Sequence, residues 1–211
     1  MLQQTQFGRV LSRWQEWLDR WPTVESLAAA RRADVIRAWE GLGYNRRAVN
    51  LHRAAQVITA RGWPEDLTEL PGVGRYTADA VSSHAFGRPV LPVDVNVRRV
   101  LERSGLQLDH ECGPALMDLG AQVCIARIPR CDACPLAADC PSRGRRFAPA
   151  RRQGPYEGSF RQRRARALRL VSREARPRDE LDDEAVSALE RDGLVEVLVG
   201  GLVRLPTAPG S

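Results

Sequence analysis

The chain contains no lysine. All 32 of its basic residues are arginine. No side-chain amine is therefore available to form a Schiff base, and only the α-amino group of Met1 offers that chemistry. The bias suits a high-GC coding sequence, and the chemical exclusion holds whatever its origin. Long apolar runs are missing as well. None approaches the ~18 residues of a membrane span. No basic stretch followed by an apolar one opens the chain, so no leader is read and a cytoplasmic protein is expected. Strand-like alternation is absent before residue 190, which leaves helices to build most of the fold.

The 211 residues suffice for one or two domains with a real core. Apolar content of 43% with 27% charged residues describes a soluble globular chain. A net charge of +6 suits a polyanionic partner.

Helical periodicity runs through the first two thirds. Phe7, Val10, Leu11, Trp14, Leu18 and Trp21 recur with helical spacing on one expected apolar face, and Pro22 stops it. Further helices are expected over 34–42, 46–60, 77–86, 95–103 and 115–125, with a short one opened by Pro64. The tryptophans at helical spacing are expected in the core. Residues 143–166 hold nine arginines and a single acid, Glu157, with Gly and Pro between them. They read as a basic linker that meets phosphates without sequence preference, or as a solvated connector. Residues 164–206 read as a small separate module: helices over 165–174 and 182–192, then a hairpin with a two-residue Gly200-Gly201 turn. This is a winged-helix-like α+β pattern. Its second helix carries Glu184, Glu190 and Asp192, which argues against insertion into a DNA groove.

Four of the five cysteines carry the densest chemical signal. Cys124, Cys131, Cys134 and Cys140 follow C-x6-C-x2-C-x5-C. Zinc sites more often come as two separated C-x2-C pairs or pair cysteines with histidines. Four thiolates in one short stretch with unequal loops better suit an iron–sulfur cluster, with a zinc knuckle or free cysteines as the alternatives. Cys112 reads as a buried free thiol.

Two upstream motifs accompany the cysteines. Leu70-Pro71-Gly72-Val73-Gly74-Arg75-Tyr76-Thr77 looks like the turn of a helix-hairpin-helix element. Pro92-Val93-Asp94-Val95-Asn96-Val97 looks like a proline–aspartate segment. With the cysteine pattern, residues 1 to about 142 resemble the iron–sulfur branch of the helix-hairpin-helix DNA glycosylases, which holds endonuclease III and the MutY-type adenine glycosylases. Met1-Leu2-Gln3-Gln4-Thr5-Gln6, Gly41-Leu42-Gly43-Tyr44 and Met117-Asp118-Leu119-Gly120 favour the MutY type. The resemblance implies an all-α glycosylase fold with a [4Fe-4S] loop, ahead of the small C-terminal module. Its boundaries are a helical domain over 1–102, a cluster region over 103–142, a linker over 143–163 and the module over 164–206.

The same resemblance implies the partner and the chemistry. The partner is double-stranded DNA containing a mismatch or lesion, met by a monomer associated with the nucleoid. The implied reaction is excision of adenine opposite 8-oxoguanine or guanine, through an oxocarbenium-like state after the nucleotide has left the stack. Asp94 would face the developing sugar cation, Asn96 would hydrogen-bond nearby, and Tyr76 would pack beside the nucleotide. Asp94 also suits an N-cap of the helix starting at Val95. Gly72, Val73, Gly74 and Arg75 would meet phosphate. Gln4 and Tyr44 would wedge into the stack, flanked by Gln3 and Thr5. The four clustered cysteines would ligate the cluster. Tyr76 stands where endonuclease III-like enzymes carry their lysine, so the expected enzyme is hydrolytic and not a lyase. A thymine or uracil mismatch glycosylase, or a catalytically silent lesion-binding relative, are the alternatives.

Three departures from the family bear on activity. The family's catalytic glutamate lies three residues before the leucine of the Leu-Gln-Gln-Thr motif, a place that falls before Met1. Either the chain starts at an internal methionine of a longer enzyme, or it is a degenerate relative. Pro114 stands where relatives place a Gln or Glu near adenine, which weighs toward reduced activity. The stretch between Arg103 and Gly113 is shortened and lacks a helix.

Overall fold

The computed structural model describes Met1, Thr5 and residues 7–107, 109–148 and 154–207. Its helices are α1 (Phe7–Arg20), α2 (Val24–Ala28), α3 (Arg32–Ala38), α4 (Arg46–Arg61), α5 (Arg75–Phe86), α6 (Val95–Ser104), α7 (Gly113–Asp118), α8 (Phe160–Arg173) and α9 (Asp183–Arg191). Three short strands follow late: β1 (Arg176–Pro177), β2 (Glu196–Val197) and β3 (Leu202–Arg204). No described helix is long and apolar enough to cross a membrane. The chain divides into two compact units. One comprises Met1–Glu65, Glu69–Gly72 and Gly154–Ser211; the other comprises Asp66–Thr68 and Val73–Gln153.

In the first unit, α1 to α4 enclose Val10, Trp17, Trp21, Leu27, Val35, Trp39, Leu42, Ala48 and Ala55. Trp17 meets Trp21 and Trp39 edge-on, at centroid distances of 4.7 and 5.5 Å. Thr23 caps α2 in a reciprocal box with Ser26, which turns the chain sharply after Pro22. The single apolar face expected for α1 is in fact two adjacent stripes. Val10 and Trp17 point inward, as does Trp21 just beyond the helix, whereas Phe7, Leu11, Trp14 and Leu18 stay exposed. Trp14 is therefore not a core residue, contrary to the expectation.

The C-terminal segment was expected to stand apart, and it shares a core with the first unit. Ala167, Leu168 and Val171 of α8, with Ala185, Val186 and Leu189 of α9, bury together with Ala33, Ile36 and Val49 of α3 and α4. A segment this short encloses too little apolar surface for stability alone, and two borrowed helices supply the rest. Helix α8 begins at Phe160, five residues before the expected start, because Ser159 accepts from the Gln162 N–H and caps it there. The sheet is antiparallel in the order β1-β3-β2, with Arg176 opposite Val203 and Glu196 opposite Arg204. Strand β1 precedes residue 190 and escaped the sequence reading, since two residues carry no alternation. The hairpin closes through Leu198 N–H to Leu202 O at 2.8 Å and Gly201 N–H to Leu198 O at 2.9 Å. Its loop is thus Val199-Gly200-Gly201, three residues and not two. Helix, strand, helix and hairpin follow in winged-helix order.

The second unit packs α6 on α7 around Val97, Val100 and Leu116, with Leu91, Val93, Cys112 and Cys124 partly buried beside them. Cys112 is free, and half-buried rather than fully enclosed. One 3-10 turn, His110–Cys112, leads from the shortened stretch into α7. Pro114 sits in the first turn of α7, where its missing N–H leaves no hydrogen bond unmade. Helix α7 then widens into a π-helical turn over Leu119–Val123.

Candidate active site and cysteine centre

Asp94 closes the N-terminus of α6. Its Oδ1 accepts from the Asn96 and Val97 N–H groups at 2.8 and 2.7 Å, and its Oδ2 from Asn96 Nδ2 at 2.9 Å. Three donors fix the carboxylate at a helix N-terminus, where the local dipole favours negative charge. Tyr76, in the first turn of α5, lies within range of that charge. Burial and then the Asp94 carboxylate push its phenol above the ordinary value, which keeps it a protonated donor at neutral pH. Asp94, Asn96 and Tyr76 therefore share one unit and one electrostatic neighbourhood.

Behind them stands a residue that the sequence reading missed. Arg99, one turn past Asn96, donates through Nη2 to Asn96 Oδ1 at 2.7 Å and to Gly120 O at 2.6 Å. Its Nε donates to Cys124 O at 2.7 Å. Gly120 explains the Met117-Asp118-Leu119-Gly120 motif. A Cβ there would lie 2.8 Å from Asn96 O and 2.9 Å from Asn96 C and Cβ. Only hydrogen fits between the π turn and the first turn of α6. The π turn ends with Cys124 N–H bonded to Leu119 O at 2.7 Å, which delivers the first of the four clustered cysteines.

Cys124, Cys131, Cys134 and Cys140 line one cavity together with Arg103, Val123, Pro129, Arg130 and Arg143. None of the five cysteines forms a disulfide. Arg103 donates to Ile125 O at 2.8 Å and Ala126 O at 2.6 Å, and reaches Cys124 Sγ at 3.7 Å. Its guanidinium also stacks on Phe147, with Cζ 3.4 Å from the ring centroid. The Cys140 thiol donates to Arg103 O at 3.4 Å, and the Gly144 N–H donates to Cys131 Sγ at 3.3 Å. Among the described residues, no three His, Cys, Asp or Glu side chains converge as ligands of one ion do. The sulfurs stand around a shared space instead. Asn96, Arg99 and Arg103 fall at helical spacing on α6, a polar stripe that was legible but went unread.

The hairpin residues have distinct duties. Gly72 has φ +75°, and a Cβ there would lie 2.3 Å from the Asn50 side chain, so glycine is required for close packing on α4. Gly74 has an ordinary φ and open space around it, and no side chain caps the α5 N-terminus that it begins. With glycine at the N-cap, no capping side chain stands at that position in the way of an anion at the start of α5. Arg75 extends into solvent and pairs with Asp79 at 3.1 Å.

In the first unit the Gly41–Asn45 loop presents Tyr44. This exposed residue has φ +48°, the one positive value for a non-glycine residue among those described, and it follows Gly41 at +88° and Gly43 at +69°. Arg47, also missed from sequence, braces the loop from inside. Its Nη2 donates to Leu42 O, Gly43 O and Thr5 Oγ1 at 3.2, 3.0 and 2.9 Å, and its Nη1 to Met1 O at 2.9 Å. It also lies over Trp39 and Tyr44, at 5.2 and 5.6 Å from their centroids. An arginine in the first turn of a helix opposes the macrodipole, and that was its one signal in the sequence. Gln3 and Gln4 lie outside the described residues.

The profile of the HhH-GPD superfamily base excision DNA repair proteins matches residues 1–112. The chain belongs to this superfamily. It is 41% identical over 256 aligned positions to the adenine DNA glycosylase of Mycobacterium tuberculosis (strain H37Rv), covering 98% of this chain and 83% of that one. An alignment longer than this chain's 211 residues means that the relative carries segments opposite gaps here. Among solved structures, a thermostable thymine-DNA glycosylase superposes with a TM-score of 0.59 at 25% identity, covering 66% of this chain and 78% of that one. A non-covalent endonuclease III–DNA complex gives 0.56 at 25% identity, covering 65% and 77%. These neighbours agree with the helical architecture.

Proposed function

We propose that this chain is a monofunctional DNA N-glycosylase of base excision repair that excises adenine mispaired with 8-oxoguanine or guanine. The observation that carries the reading is Asp94, held by three hydrogen bonds at the start of α6 beside a protonated Tyr76. A fixed carboxylate stabilises the positive charge that develops on the sugar as the glycosidic bond breaks. Asn96, tied to both Asp94 and Arg99, keeps that carboxylate oriented. Tyr76 supplies a hydrogen-bond donor and an apolar face to the extruded nucleotide. The α5 N-terminus at Gly74 takes a backbone phosphate, and Tyr44 enters the stack. With no lysine in the chain, base removal proceeds by water and not through a side-chain imine. The adenine preference rests on the mycobacterial relative's likeness over nearly the whole chain.

The four cysteines around one cavity fit a [4Fe-4S] cluster. They are free thiols lining a common space, and four cysteines with unequal spacing in one short stretch are a ligand set for such a cluster. Bound there, the cluster would supply a cross-link between the end of α7 and the loop bearing Arg127 and Arg130.

The test is single-turnover base release from an A:8-oxoguanine duplex by the wild-type chain and by Asp94→Asn. Adenine release that disappears in Asp94→Asn supports the reading. Release of thymine or uracil from mismatched duplexes, with adenine retained, would replace it with the reading favoured by the thymine-DNA glycosylase likeness. Binding with no release of any base would make the chain a lesion-binding protein.

A further inference from the structure

The segment from Phe160 to Leu205 takes no part in the chemistry above, and its acidic α9 surface does not suit a groove. Asp182 and Glu184 are taken up by Arg163, and Asp183 by Arg178. What the segment touches points to a different duty. Both flanks of the Gly41–Asn45 loop end on it.

On the upstream flank, Ala33 and Ile36 of α3 share a core with α8. Arg37 Nε donates to Ser172 O at 3.0 Å, and Glu40, next to Gly41, lies 3.6 Å from Arg169. On the downstream flank, Val49 of α4 is fully buried in the same core. Arg46, two residues after Tyr44, lies 3.7 Å from Asp192 Oδ1, while Asp192 Oδ2 accepts from Arg164 at 2.6 Å. Between these anchors the backbone takes three positive φ values, one of them at Tyr44. A non-glycine residue in that region is strained and persists only where its surroundings over-determine it. Arg47 supplies the constraint from inside the loop, and the two flanks must be fixed for that constraint to hold.

We infer that the C-terminal α/β segment is a brace that sets the backbone of the Tyr44 loop, and thereby positions Tyr44 for entry into DNA. The inference rests on the reading of Tyr44 as the residue that enters the stack. The segment acts through α3 and α4 and needs no DNA contact of its own. Its residues are positioning residues, and Asp192 is the pivotal one, because it joins α4 to α8 from the end of α9.

The test uses the full chain with Asp192→Ala, Arg169→Glu and both together. These side chains are partly or largely exposed, so the thermal midpoint should move by only a few degrees. Hydrogen–deuterium exchange of residues 40–47 should rise several-fold in the double variant, while the later turns of α4 stay protected. A duplex with 2-aminopurine in place of the mispaired adenine, opposite 8-oxoguanine, reports unstacking as a gain in emission. That gain should fall in the double variant to the level of Tyr44→Ala, with no further loss when the changes are combined. Asp192→Glu should retain the gain. Unchanged exchange at 40–47, or losses that add to that of Tyr44→Ala, would overturn the inference. Full emission from Tyr44→Ala would sink the wedge reading and the functional half of the inference with it. The exchange data would then judge the brace alone.

Discussion

Gly120→Ala is the sharpest probe of how the cysteine region supports Asp94, the proposed catalytic aspartate. The added Cβ would meet Asn96 O at 2.8 Å and Asn96 C and Cβ at 2.9 Å, so two of the three contacts are with main chain, which cannot rotate away. Reaching ordinary contact near 3.4 Å requires the π turn and the first turn of α6 to part by about half an ångström. Overpacking of this kind costs about 1–3 kcal/mol, offset by up to about 1 kcal/mol from the better helix propensity of alanine. Mid-range values of the two leave a net destabilisation of about 1–2 kcal/mol. At about 2–4 °C per kcal/mol for a chain of this size, the thermal midpoint should fall by about 2–8 °C.

The same displacement acts on the chemistry. Asn96 N–H and Nδ2 both bond to Asp94, so moving Asn96 moves the carboxylate. A 1 Å misplacement costs roughly a hundredfold in rate, and half of that should cost about tenfold. The assays are calorimetry and single-turnover base release, with Gly8→Ala as the control. Gly8 has no atom within 4 Å of its ideal Cβ and lies in α1, so its replacement should be neutral or slightly stabilising. A Gly120→Ala protein with wild-type midpoint and rate would refute the close-packing argument.

Three further outcomes follow from the same geometry. Gly74→Ala should leave the thermal midpoint unchanged, since nothing lies within 4 Å of its ideal Cβ, yet weaken duplex binding by blocking close approach of phosphate; equal affinity by fluorescence anisotropy would count against the hairpin as a phosphate site. Arg99→Lys keeps the charge but replaces a fork that reaches Asn96, Gly120 and Cys124, so a loss of roughly 2 kcal/mol in urea titration and slower base release are expected, and an unaltered midpoint would speak against the link. Burial lowers the His52 pKa below 6.5, Arg32 and Arg53 adding to the lowering and the Ala28 and Ala30 carbonyls opposing it; the unfolded chain then binds the proton more readily, so stability is full above about pH 6.5, falls below it, and levels off once the folded imidazole is protonated, a slope that His52→Asn should flatten.

Much of the frame was legible because it rests on local signals. Gly62, Gly87 and Gly105 end α4, α5 and α6, and Asp94 is the N-cap that its position before Val95 suggests. The cysteine spacing marked one centre, and all four thiols do line one cavity. What escaped was long-range. Nothing in the pattern of α8 and α9 shows that their apolar faces close on Ile36 and Val49, well over a hundred residues away, because periodicity names a buried face without naming its partner. The exposed stripe of α1 escaped for the same reason. Arg47, Arg99 and Arg103 escaped because arginine is the default cation of this chain, and composition hides the few that turn inward.

Those inward arginines give the missing lysine a second meaning. Arg47 spans Leu42 O and Gly43 O, Arg99 spans Gly120 O and Cys124 O, and Arg103 spans Ile125 O and Ala126 O. In each case a planar fork ties together carbonyls of a non-helical or widened segment: the Tyr44 loop, the π turn and the first cysteine loop. Segments that present groups to DNA or to a cofactor cannot satisfy their carbonyls through regular ladders. An ammonium offers a rotating point charge on a flexible stem, which bonds one carbonyl well and a pair of them poorly. A guanidinium fixes two acceptors at once and loses less freedom for each bond formed. Substituting arginine for lysine throughout thus removes imine chemistry and, in the same step, supplies rigid clamps for the three irregular segments on which the proposed site depends.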